Sequence, residues 1–252
     1  FLHGNPTWSF FYRNLILSLR DQFRCIAPDH LGCGFSDKPS SKNFIYDLKN
    51  HSLNLLELIE HLGLRKFNLV VHDWGGAIGL SAFRKDFSRI NKLILLNTAA
   101  FLCDDVPRRI QLCRIPLIGE IFVRQFNGFA LPATWMATEK GLSTGAKKGF
   151  LYPYQDWKSR VAIWSFVRDI PLETHHPTQK FLQETELALS QLSSVPVLAC
   201  WGMKDFCFHP GFLAQWKERI PHIQTLTSDD AGHYLLEDAF DFFISKIKAF
   251  LS

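Results

Sequence analysis

The segment FNLVVHDWGG, residues 67–76, decides the fold of this chain. Its apolar run is typical of a buried strand, and the two glycines at its end are typical of a tight turn from a strand into a helix. Small residues are needed there because the backbone turns sharply and the helix packs close to the strand. Asp73 stands at the tip of the turn, where many hydrolases carry a serine. The segment therefore predicts a strand, a turn and a helix, with a carboxylate displayed at the turn.

Further apolar runs alternate with helical patterns along the chain. The predicted strands are residues 1–4, 23–29, 67–73, 90–100, 195–202 and 223–233, and the predicted helices lie near 8–20, 46–62, 75–87, 178–192, 210–219 and 236–251. This alternation indicates an α/β fold, with a mostly parallel sheet covered by helices on both faces. The interval 101–189 lacks a convincing strand and predicts a helical cap over the carboxyl edge of the sheet, where such sheets bind ligands. Residues 1–100 and 190–252 would then form the two parts of the core.

The composition is that of a globular protein. Hydrophobic residues make up 47% of the 252 residues, charged residues make up 21%, and the net charge is +4. No basic run or aromatic–basic repeat indicates nucleic-acid binding, and no apolar run reaches the roughly 18 residues that span a bilayer. The basic excess lies within residues 101–170. It is interpreted as a solvated surface, with a docking face for a partner as the alternative.

Several other features carry less information about function. The six cysteines show no C-x-x-C motif and no dense framework, which indicates free thiols in a reducing, cytoplasmic setting. The two histidines at 175–176 lack the further ligands of a metal site, and the loop at 29–39 lacks the last glycine of a dinucleotide motif, so no metal or cofactor is expected. His72 is interpreted as structural. The opening FLHGNP resembles a strand already ending, so we expect that N-terminal strands and any targeting segment are missing.

Two more polar residues follow predicted strands. Asp205 lies in ACWGMKDF and His233 lies in DDAGHYLLED. A nucleophile, an acid and a histidine in this order, each after a strand, match the catalytic triad of α/β-hydrolases. Taken singly, each could be a helix cap, a loop carboxylate or an ordinary histidine, but their joint appearance favours the triad. Asn97, at the end of LILLN, cannot hold a protonated imidazole as a carboxylate does, and Asp104 and Asp105 remain outside candidates for the acid.

A carboxylate at the turn restricts the chemistry. Attack on an acyl carbon would give an anhydride, whereas attack on an sp³ carbon gives an ordinary alkyl ester. Asp73 therefore favours displacement at an alkyl carbon or opening of a strained ring over lipase, esterase or peptidase chemistry. His233 can activate water against the ester while Asp205 holds the imidazole. Asn5, in the turn HGNP, and the indole of Trp74 are candidate donors for the leaving group.

The sequence resembles the haloalkane dehalogenase branch of the α/β-hydrolases from Phe1 to Ser252. The resemblance is carried by HGNP (3–6), DHLGCGFSDKP (29–39), VVHDWGGAIG (70–79), WGMKD (201–205) and DDAGHYLLED (229–238). It implies an eight-stranded sheet whose first two strands are absent here. It also implies a nucleophile, a base, an acid and two leaving-group donors, in the order Asp73, His233, Asp205, Asn5 and Trp74. The related epoxide hydrolases are a weaker match, because they carry an aromatic residue in place of the asparagine and two well-separated cap tyrosines. The only tyrosines of the predicted cap here, Tyr152 and Tyr154, are two residues apart around Pro153.

Within this branch the cap is similar to OleB-type β-lactone decarboxylases of long-chain olefin biosynthesis. The matching stretches are LNTAAF (96–101), RQFNGFA (124–130) and YPYQDWKSRVAIWSFVRDIPL (152–172). The resemblance implies conversion of a cis-3,4-dialkyl-oxetan-2-one to a cis-alkene and CO₂, and company with a thiolase, a β-lactone synthetase and a reductase. Attack by Asp73 at the sp³ carbon and at the carbonyl both remain open. Apolar cap residues offer surface for two alkyl chains or pack among the helices: Phe122, Phe126, Phe129, Trp135, Trp164 and Phe166.

Three alternatives compete with this interpretation. The first is hydrolytic dehalogenation of a haloalkane, another small apolar substrate, by the same five residues. The second is a non-catalytic relative that binds a small apolar ligand, which the retained Asp73, Asp205 and His233 argue against. The third is an incomplete product without activity of its own. Activity on a bromoalkane without action on a β-lactone would favour the first.

Overall fold

A sheet of four parallel strands lies at the centre of the computed structural model, which describes residues 1–252. The strands are β1 (Phe67–Asp73), β2 (Ile90–Thr98), β3 (Val197–Gly202) and β4 (Gln224–Ser228), and their order in the sheet is their order in the chain. Every neighbouring pair is parallel, so all carboxyl ends meet at one edge. The predicted α/β architecture is confirmed.

Twelve α-helices surround the sheet. They are α1 (Arg13–Leu19), α2 (Leu48–His61), α3 (Trp74–Phe83), α4 (Arg108–Cys113), α5 (Ile118–Glu120), α6 (Ala130–Met136), α7 (Thr144–Leu151), α8 (Val161–Arg168), α9 (Pro177–Ala188), α10 (Pro210–Arg219), α11 (Leu235–Asp238) and α12 (Phe240–Leu251). Short 3₁₀ turns occupy Ser9–Tyr12, Phe87–Arg89 and Leu189–Ser194, and a π turn occupies Ile121–Gln125. The predicted helix at 236–251 is divided at Ala239, whose extended φ of −142° ends α11.

Side chains alternate between two buried layers along the central strands. Leu93 and Leu95 of β2 join a cluster of 33 buried residues on one face of the sheet. Ile94 and Leu96, between and after them, join a cluster of 18 on the other face. This period of two follows from the strand pleat, and burial on both sides explains the nearly unbroken apolar run of the strand. The core is therefore built in two layers that fix the sheet from both faces.

Two predicted strands, 1–4 and 23–29, are not regular strands in the structure. Leu2 makes a single parallel bridge to Val71, with backbone hydrogen bonds of 2.8 and 3.0 Å to β1. The next segment is joined to it by the Phe1 backbone nitrogen, which donates to the Ile26 carbonyl at 2.8 Å. These short segments pair too few backbone groups to form a ladder. Residues 1–4 nevertheless run beside β1 and bring Asn5 to the carboxyl edge of the sheet.

Helices α4 to α9 lie between β2 and β3, and no strand interrupts them. These helices bring the apolar cap residues to the carboxyl edge, where they line a cavity together with the strand ends. All six cysteines are free thiols. None of the helices has the length and apolar character needed to cross a bilayer.

Four buried histidines make the fold sensitive to acid. His3, His30, His51 and His72 are each at most 5% exposed. Burial is the main reason why their pKa values lie below the ordinary value of 6.5, about 4 for His3 and well below 6.5 for the others. The unfolded chain therefore binds more protons below pH 6.5, so these groups lose their stabilising contribution as the pH falls.

We expect a His51→Phe variant to lose less stability than the wild type between pH 7 and pH 5. The His51 ring is stacked on Phe166, and neither ring nitrogen has a hydrogen-bond partner, so phenylalanine fits the site without a proton to bind. Proton linkage predicts that the free energy of unfolding falls by about 2 kcal/mol less in the variant than in the wild type between pH 7 and pH 5. Urea unfolding at both pH values measures this difference. The exposed His175→Gln variant should follow the wild type. Equal losses in the wild type and in His51→Phe would contradict this account.

Candidate active site

Asp73 occupies a strained turn between β1 and α3. Its φ of 51° and ψ of −126° lie in a region that residues other than glycine rarely adopt. The backbone of residues 2–4 approaches the turn so closely that two glycines are required. A Cβ on Gly75 would lie 2.1 Å from the Leu2 carbonyl oxygen, and a Cβ on Gly4 would lie 2.0 Å from Oδ1 of Asp73. The requirement for a small residue at position 75, which the sequence predicts, is thus explained by the contact with the Leu2 carbonyl.

The two oxygens of the Asp73 carboxylate have different surroundings. Oδ1 accepts a hydrogen bond of 2.6 Å from the backbone N–H of Asn5, and the backbone N–H of Trp74, next to the carboxylate, also favours its charged form and lowers its pKa. Oδ2 lies 3.7 Å from Nε2 of His233. Burial raises the pKa of Asp73 above 3.8, and the imidazole and the two backbone donors only partly offset this effect. One oxygen is therefore held by the backbone, and the other faces the histidine.

His233 and Asp205 form a buried pair beside this carboxylate. Nδ1 of His233 lies 2.7 Å from Oδ2 of Asp205, and Oδ1 of Asp205 accepts from the backbone N–H of Cys207 at 2.7 Å. Burial lowers the pKa of His233, but the carboxylates of Asp205 and Asp73 outweigh it, and the pKa lies above 6.5. With Nδ1–H donated to Asp205, Nε2 is directed toward Asp73. This geometry suits an imidazole that acts on a group attached to Asp73.

Asn97 fixes the loop that carries the acid. Its side chain brackets one residue of β3: Nδ2 donates to the Gly202 carbonyl at 3.0 Å, and Oδ1 accepts from the Gly202 N–H at 2.8 Å. Asn97 itself has a φ of 32° and is fully buried. Asp205 lies three residues after Gly202, so these two hydrogen bonds fix the start of the loop that carries Asp205. Asn97 is not the acid, as the sequence predicts, but nothing in the sequence indicates its contact with the loop that carries Asp205.

The turn of His233 is held from two further sides. His72 points toward this turn, with Nε2 at 3.0 Å from the His233 carbonyl oxygen, and it is stacked on Phe11. Asp238, which is 4% exposed, accepts from the backbone N–H groups of Gly232 at 2.8 Å and of Lys140 at 2.9 Å. A buried carboxylate that accepts several N–H groups is strongly constrained. Asp238 therefore links the histidine turn to the segment between α6 and α7.

The two predicted donors lie beside Asp73. Asn5 is 6% exposed, and its Nδ2 donates to the Ile163 carbonyl of α8 at 3.1 Å, so one of its amide hydrogens is already used. Its Oδ1 is buried without a partner. Trp74 is half-buried at the start of α3, with its ring 5.2 Å from that of Phe166. Both residues line the cavity next to the carboxylate. The remaining amide hydrogen and the indole N–H are the donors available to a ligand.

A cavity of about 330 Å³ connects these residues with the helices above them. Asp73, Asn5, Trp74 and His233 line its floor. Most of the other lining residues are apolar and include Phe101, Ile110, Cys113, Phe122, Phe129, Met136, Leu182, Phe206 and Phe212. A few polar groups at one end of an apolar chamber are typical of a site for an apolar ligand with one reactive polar group.

The six predicted cap aromatics divide into three groups. Phe122 and Phe129 line the cavity. Phe166 is buried beneath Trp74, and Trp164 packs in a cluster between the cap helices. Phe126 and Trp135 are mostly exposed, at 67% and 54%. The sequence cannot separate these groups, because an aromatic residue on a short helix gives the same signal on either face.

The other candidates from the sequence lie outside the site. Asp105, at the cavity rim, pairs with His209 at 2.9 Å instead of with His233, and Asp104 is exposed. Tyr154 is buried away from the cavity, where its hydroxyl donates to the Thr7 carbonyl, and Tyr152 is exposed. The pair of cavity tyrosines expected of an epoxide hydrolase is therefore not formed by these two residues.

Comparison with known proteins agrees with this architecture. The sequence profile of the α/β hydrolase fold matches residues 1–240. The chain is 40% identical to the cis-3-alkyl-4-alkyloxetan-2-one decarboxylase of Shewanella oneidensis, over 100% of this chain and 80% of that protein. It is 35% identical to the enzyme of the same name from Xanthomonas campestris pv. campestris, over 99% of this chain and 86% of that protein.

Solved structures show the same fold. The haloalkane dehalogenase DatA from Agrobacterium tumefaciens C58 superposes with a TM-score of 0.89, at 25% identity, over 99% of this chain and 87% of that one. The profile match over almost the whole chain and the two decarboxylase relatives show that the chain belongs to the α/β-hydrolase family.

Proposed function

We propose that this chain decarboxylates cis-3-alkyl-4-alkyloxetan-2-ones, releasing a cis-alkene and CO₂, with Asp73 as nucleophile. The observation that carries the proposal is the arrangement of the Asp73 carboxylate, in which the backbone of Asn5 holds Oδ1 and Oδ2 borders an apolar cavity. The similarity to two decarboxylases of this substrate class over nearly the whole chain supports the same reaction. In this proposal residues 101–189 act as a cap that encloses the alkyl chains.

The position of Oδ1 favours attack on the sp³ carbon of the ring. In a serine hydrolase, backbone N–H groups at this place stabilise the oxyanion of an acyl substrate. Here the N–H of Asn5 already donates to Asp73, so a carbonyl oxygen of the substrate lacks that donor. Attack on C4 needs stabilisation of the departing ring oxygen instead. The free amide hydrogen of Asn5 and the indole N–H of Trp74 are the groups proposed for this role.

The proposed reaction has two balanced steps. Asp73 forms a bond to C4 as the C4–O bond of the lactone breaks, and the electron pair leaves with the ring oxygen as a carboxylate. The C3–carboxylate bond then supplies the electrons of the new C3=C4 bond, CO₂ departs, and the carboxylate of Asp73 is released. Inversion at C4 followed by anti elimination gives the cis-alkene from the cis-lactone. Neither water nor a proton is consumed.

The roles of His233 and Asp205 differ between this reaction and hydrolysis. In decarboxylation, His233 lies 3.7 Å from the departing Asp73 oxygen, and its imidazole, whose pKa is raised by the neighbouring carboxylates, stabilises the charge that returns there. In hydrolysis of an alkyl ester, neutral His233 must instead remove a proton from water. Asp205 orients the imidazole in both cases. The second candidate function is haloalkane dehalogenation, which the structural similarity to DatA favours.

The cellular setting forms a further part of the proposal. Six free cysteines agree with a reducing, cytoplasmic location, because such thiols persist unpaired where disulfides are kept reduced. Assembly with a thiolase, a β-lactone synthetase and a reductase would place the strained substrate close to its source.

Replacing the nucleophile should abolish alkene formation. We expect Asp73→Asn to lower kcat/KM on a cis-3,4-dialkyl β-lactone by at least about a thousandfold, because an amide cannot form the ester. Headspace CO₂ and extracted cis-alkene provide the measurement. Asp241→Asn, an exposed carboxylate on α12, is the matched control and should keep full activity. Alkene release by Asp73→Asn at the wild-type rate would exclude a nucleophilic role for this residue.

Removing the histidine should separate the two candidate reactions. With a bromoalkane, a His233→Gln variant is expected to accumulate an alkyl ester on Asp73, seen as a stable mass increase, because water is no longer activated. With the β-lactone, the same variant should still release alkene at a reduced rate and accumulate less adduct. A permanent adduct without alkene from the lactone would show that His233 is needed as a base, which contradicts the proposed second step.

The pH dependence should differ in the same way. As the pH falls, protonation of His233, whose pKa is raised by the carboxylates of Asp205 and Asp73, stops hydrolysis, whereas alkene formation stops only when Asp73 itself loses its charge. Hydrolysis requires neutral His233 and should decline first. Alkene formation requires only the ionised Asp73 and should persist to lower pH. Steady-state rates of both reactions across pH 5 to 9 test this difference, and coinciding acid limbs would refute it.

A further inference from the structure

A cluster of large apolar side chains projects from the cap between α4 and the π turn. Six residues within one short stretch are 40% to 73% exposed: Leu112, Ile115, Leu117, Ile118, Ile121 and Phe122. Backbone hydrogen bonds such as Gly119 N–H to Ile115 and Ile121 N–H to Leu117 fold this stretch into compact turns. The side chains therefore lie close together, and we call this cluster the apolar tip. Contiguous exposed apolar patches mark interaction surfaces.

In the apolar tip a charged residue is buried and aliphatic residues are exposed, which is the opposite of the usual distribution. Arg114, in the middle of the stretch, is only 8% exposed and is turned inward, where it pairs with Glu173 at 2.6 Å. Its neighbours Ile115 and Leu117 are turned outward. Burying a charge while exposing aliphatic groups costs free energy in water, because the arginine must be compensated and the aliphatic groups remain hydrated. Such an arrangement is favourable when the outer surface contacts an apolar medium.

The backbone at Leu117 is strained, and its conformation leaves the Leu117 side chain exposed to solvent. Leu117 has a φ of 64° and a ψ of −57°, the central position of a γ-turn that Ile118 N–H closes on the Pro116 carbonyl at 2.7 Å. This type of γ-turn is rare and strained, and a leucine gains nothing there from packing because its side chain is 73% exposed. The strain is therefore not offset by contacts within the chain.

The charge around the tip is positive. Residues 104–136 contain four arginines and three acidic residues, Asp104, Asp105 and Glu120, a net charge of +1. Glu120 is paired with Arg124, and Arg114 is paired with Glu173. Arg108 is exposed one turn before Leu112 on α4, and Arg109 lies over the ring of Phe206 at 3.7 Å. An aliphatic tip with a cationic margin is complementary to a lipid surface that carries anionic headgroups.

The cavity above Asp73 extends to the inner side of the apolar tip. Ile110 and Cys113 of α4 line the cavity, whereas Leu112 of the same helix points outward. Phe122 belongs to both surfaces, since it lines the cavity and is 47% exposed. Apolar surface is thus continuous from the chamber to the tip.

We propose that the apolar tip docks on the surface of a lipid bilayer with anionic headgroups. Leu117, Ile118 and Ile121 enter the boundary between headgroups and acyl chains, and Arg108 and Arg109 contact the headgroups. A substrate with two alkyl chains would then pass from the bilayer to the cavity through Phe122. That last step rests on the proposed function, whereas docking is measured without turnover, so the two can fail separately.

Flotation with vesicles tests the docking. The folded wild-type chain should bind vesicles of phosphatidylcholine mixed with phosphatidylglycerol, and less so vesicles of phosphatidylcholine alone. The double variant Leu117→Asp/Ile118→Asp should bind roughly a hundredfold more weakly, since two apolar side chains no longer enter the lipid. The matched control is Leu187→Asp, because Leu187 is 79% exposed on α9, outside the tip, and its replacement should leave binding unchanged.

Two further variants separate docking from folding. Arg108→Gln/Arg109→Gln should lose roughly thirtyfold in binding to the anionic vesicles at low salt, and less at high salt, where the charges are screened. Leu117→Gly should raise the melting temperature by relieving the γ-turn while it weakens vesicle binding. The proposal is overturned if the folded wild type does not bind the anionic vesicles, if the tip variant binds as well as Leu187→Asp, or if tip variants only dissociate a dimer.

Discussion

The close approach of residues 2–5 to the strained turn at Asp73 is the constraint on which the site depends. It requires glycine at positions 4 and 75, since a Cβ at either would overlap the opposing chain. It also places the N–H of Asn5 on Oδ1 of the nucleophile. Burial raises the pKa of this carboxylate, and the backbone donors and the nearby imidazole partly offset that effect. The same contact that holds the carboxylate removes a donor from any substrate carbonyl, and this favours chemistry at a saturated carbon.

The remaining polar groups are held by backbone contacts rather than by charge alone. Asn97 joins the ends of β2 and β3, His72 contacts the carbonyl of His233, and Asp238 connects the histidine turn to the segment between α6 and α7. Each contact fixes one loop relative to another at the carboxyl edge of the sheet. Because preorganised groups need not rearrange during reaction, such a scaffold holds the carboxylate and the imidazole in place for chemistry. Residues of the helices between β2 and β3 line the cavity above the carboxylate, and in the proposed function they select the apolar molecule that reaches it.

The sequence predicted the strand-to-turn positions well because apolar runs that end in polar residues leave a strong pattern. Asp73, Asp205 and His233 were found in this way, and the structure brings them within reach of one another. The sequence did not predict the hydrogen bonds between the Asn97 side chain and the backbone of Gly202, because nothing in the sequence indicates which loop an amide will contact. Residues 23–29 are as apolar as a strand but lack enough paired backbone groups to become one. The exposure of the apolar tip could not be predicted either, since exposed and buried aliphatic residues give the same pattern in a sequence.

The central claim is that Asp73 becomes covalently bonded to the ring carbon of a β-lactone. Rapid quenching of the wild-type chain with a cis-3,4-dialkyl β-lactone, followed by peptide mass spectrometry, tests it directly. The account predicts a transient adduct with the mass of the intact lactone on the peptide that contains Asp73, decaying as alkene appears. Alkene release with no adduct at any time, or an adduct on a different residue, would contradict it.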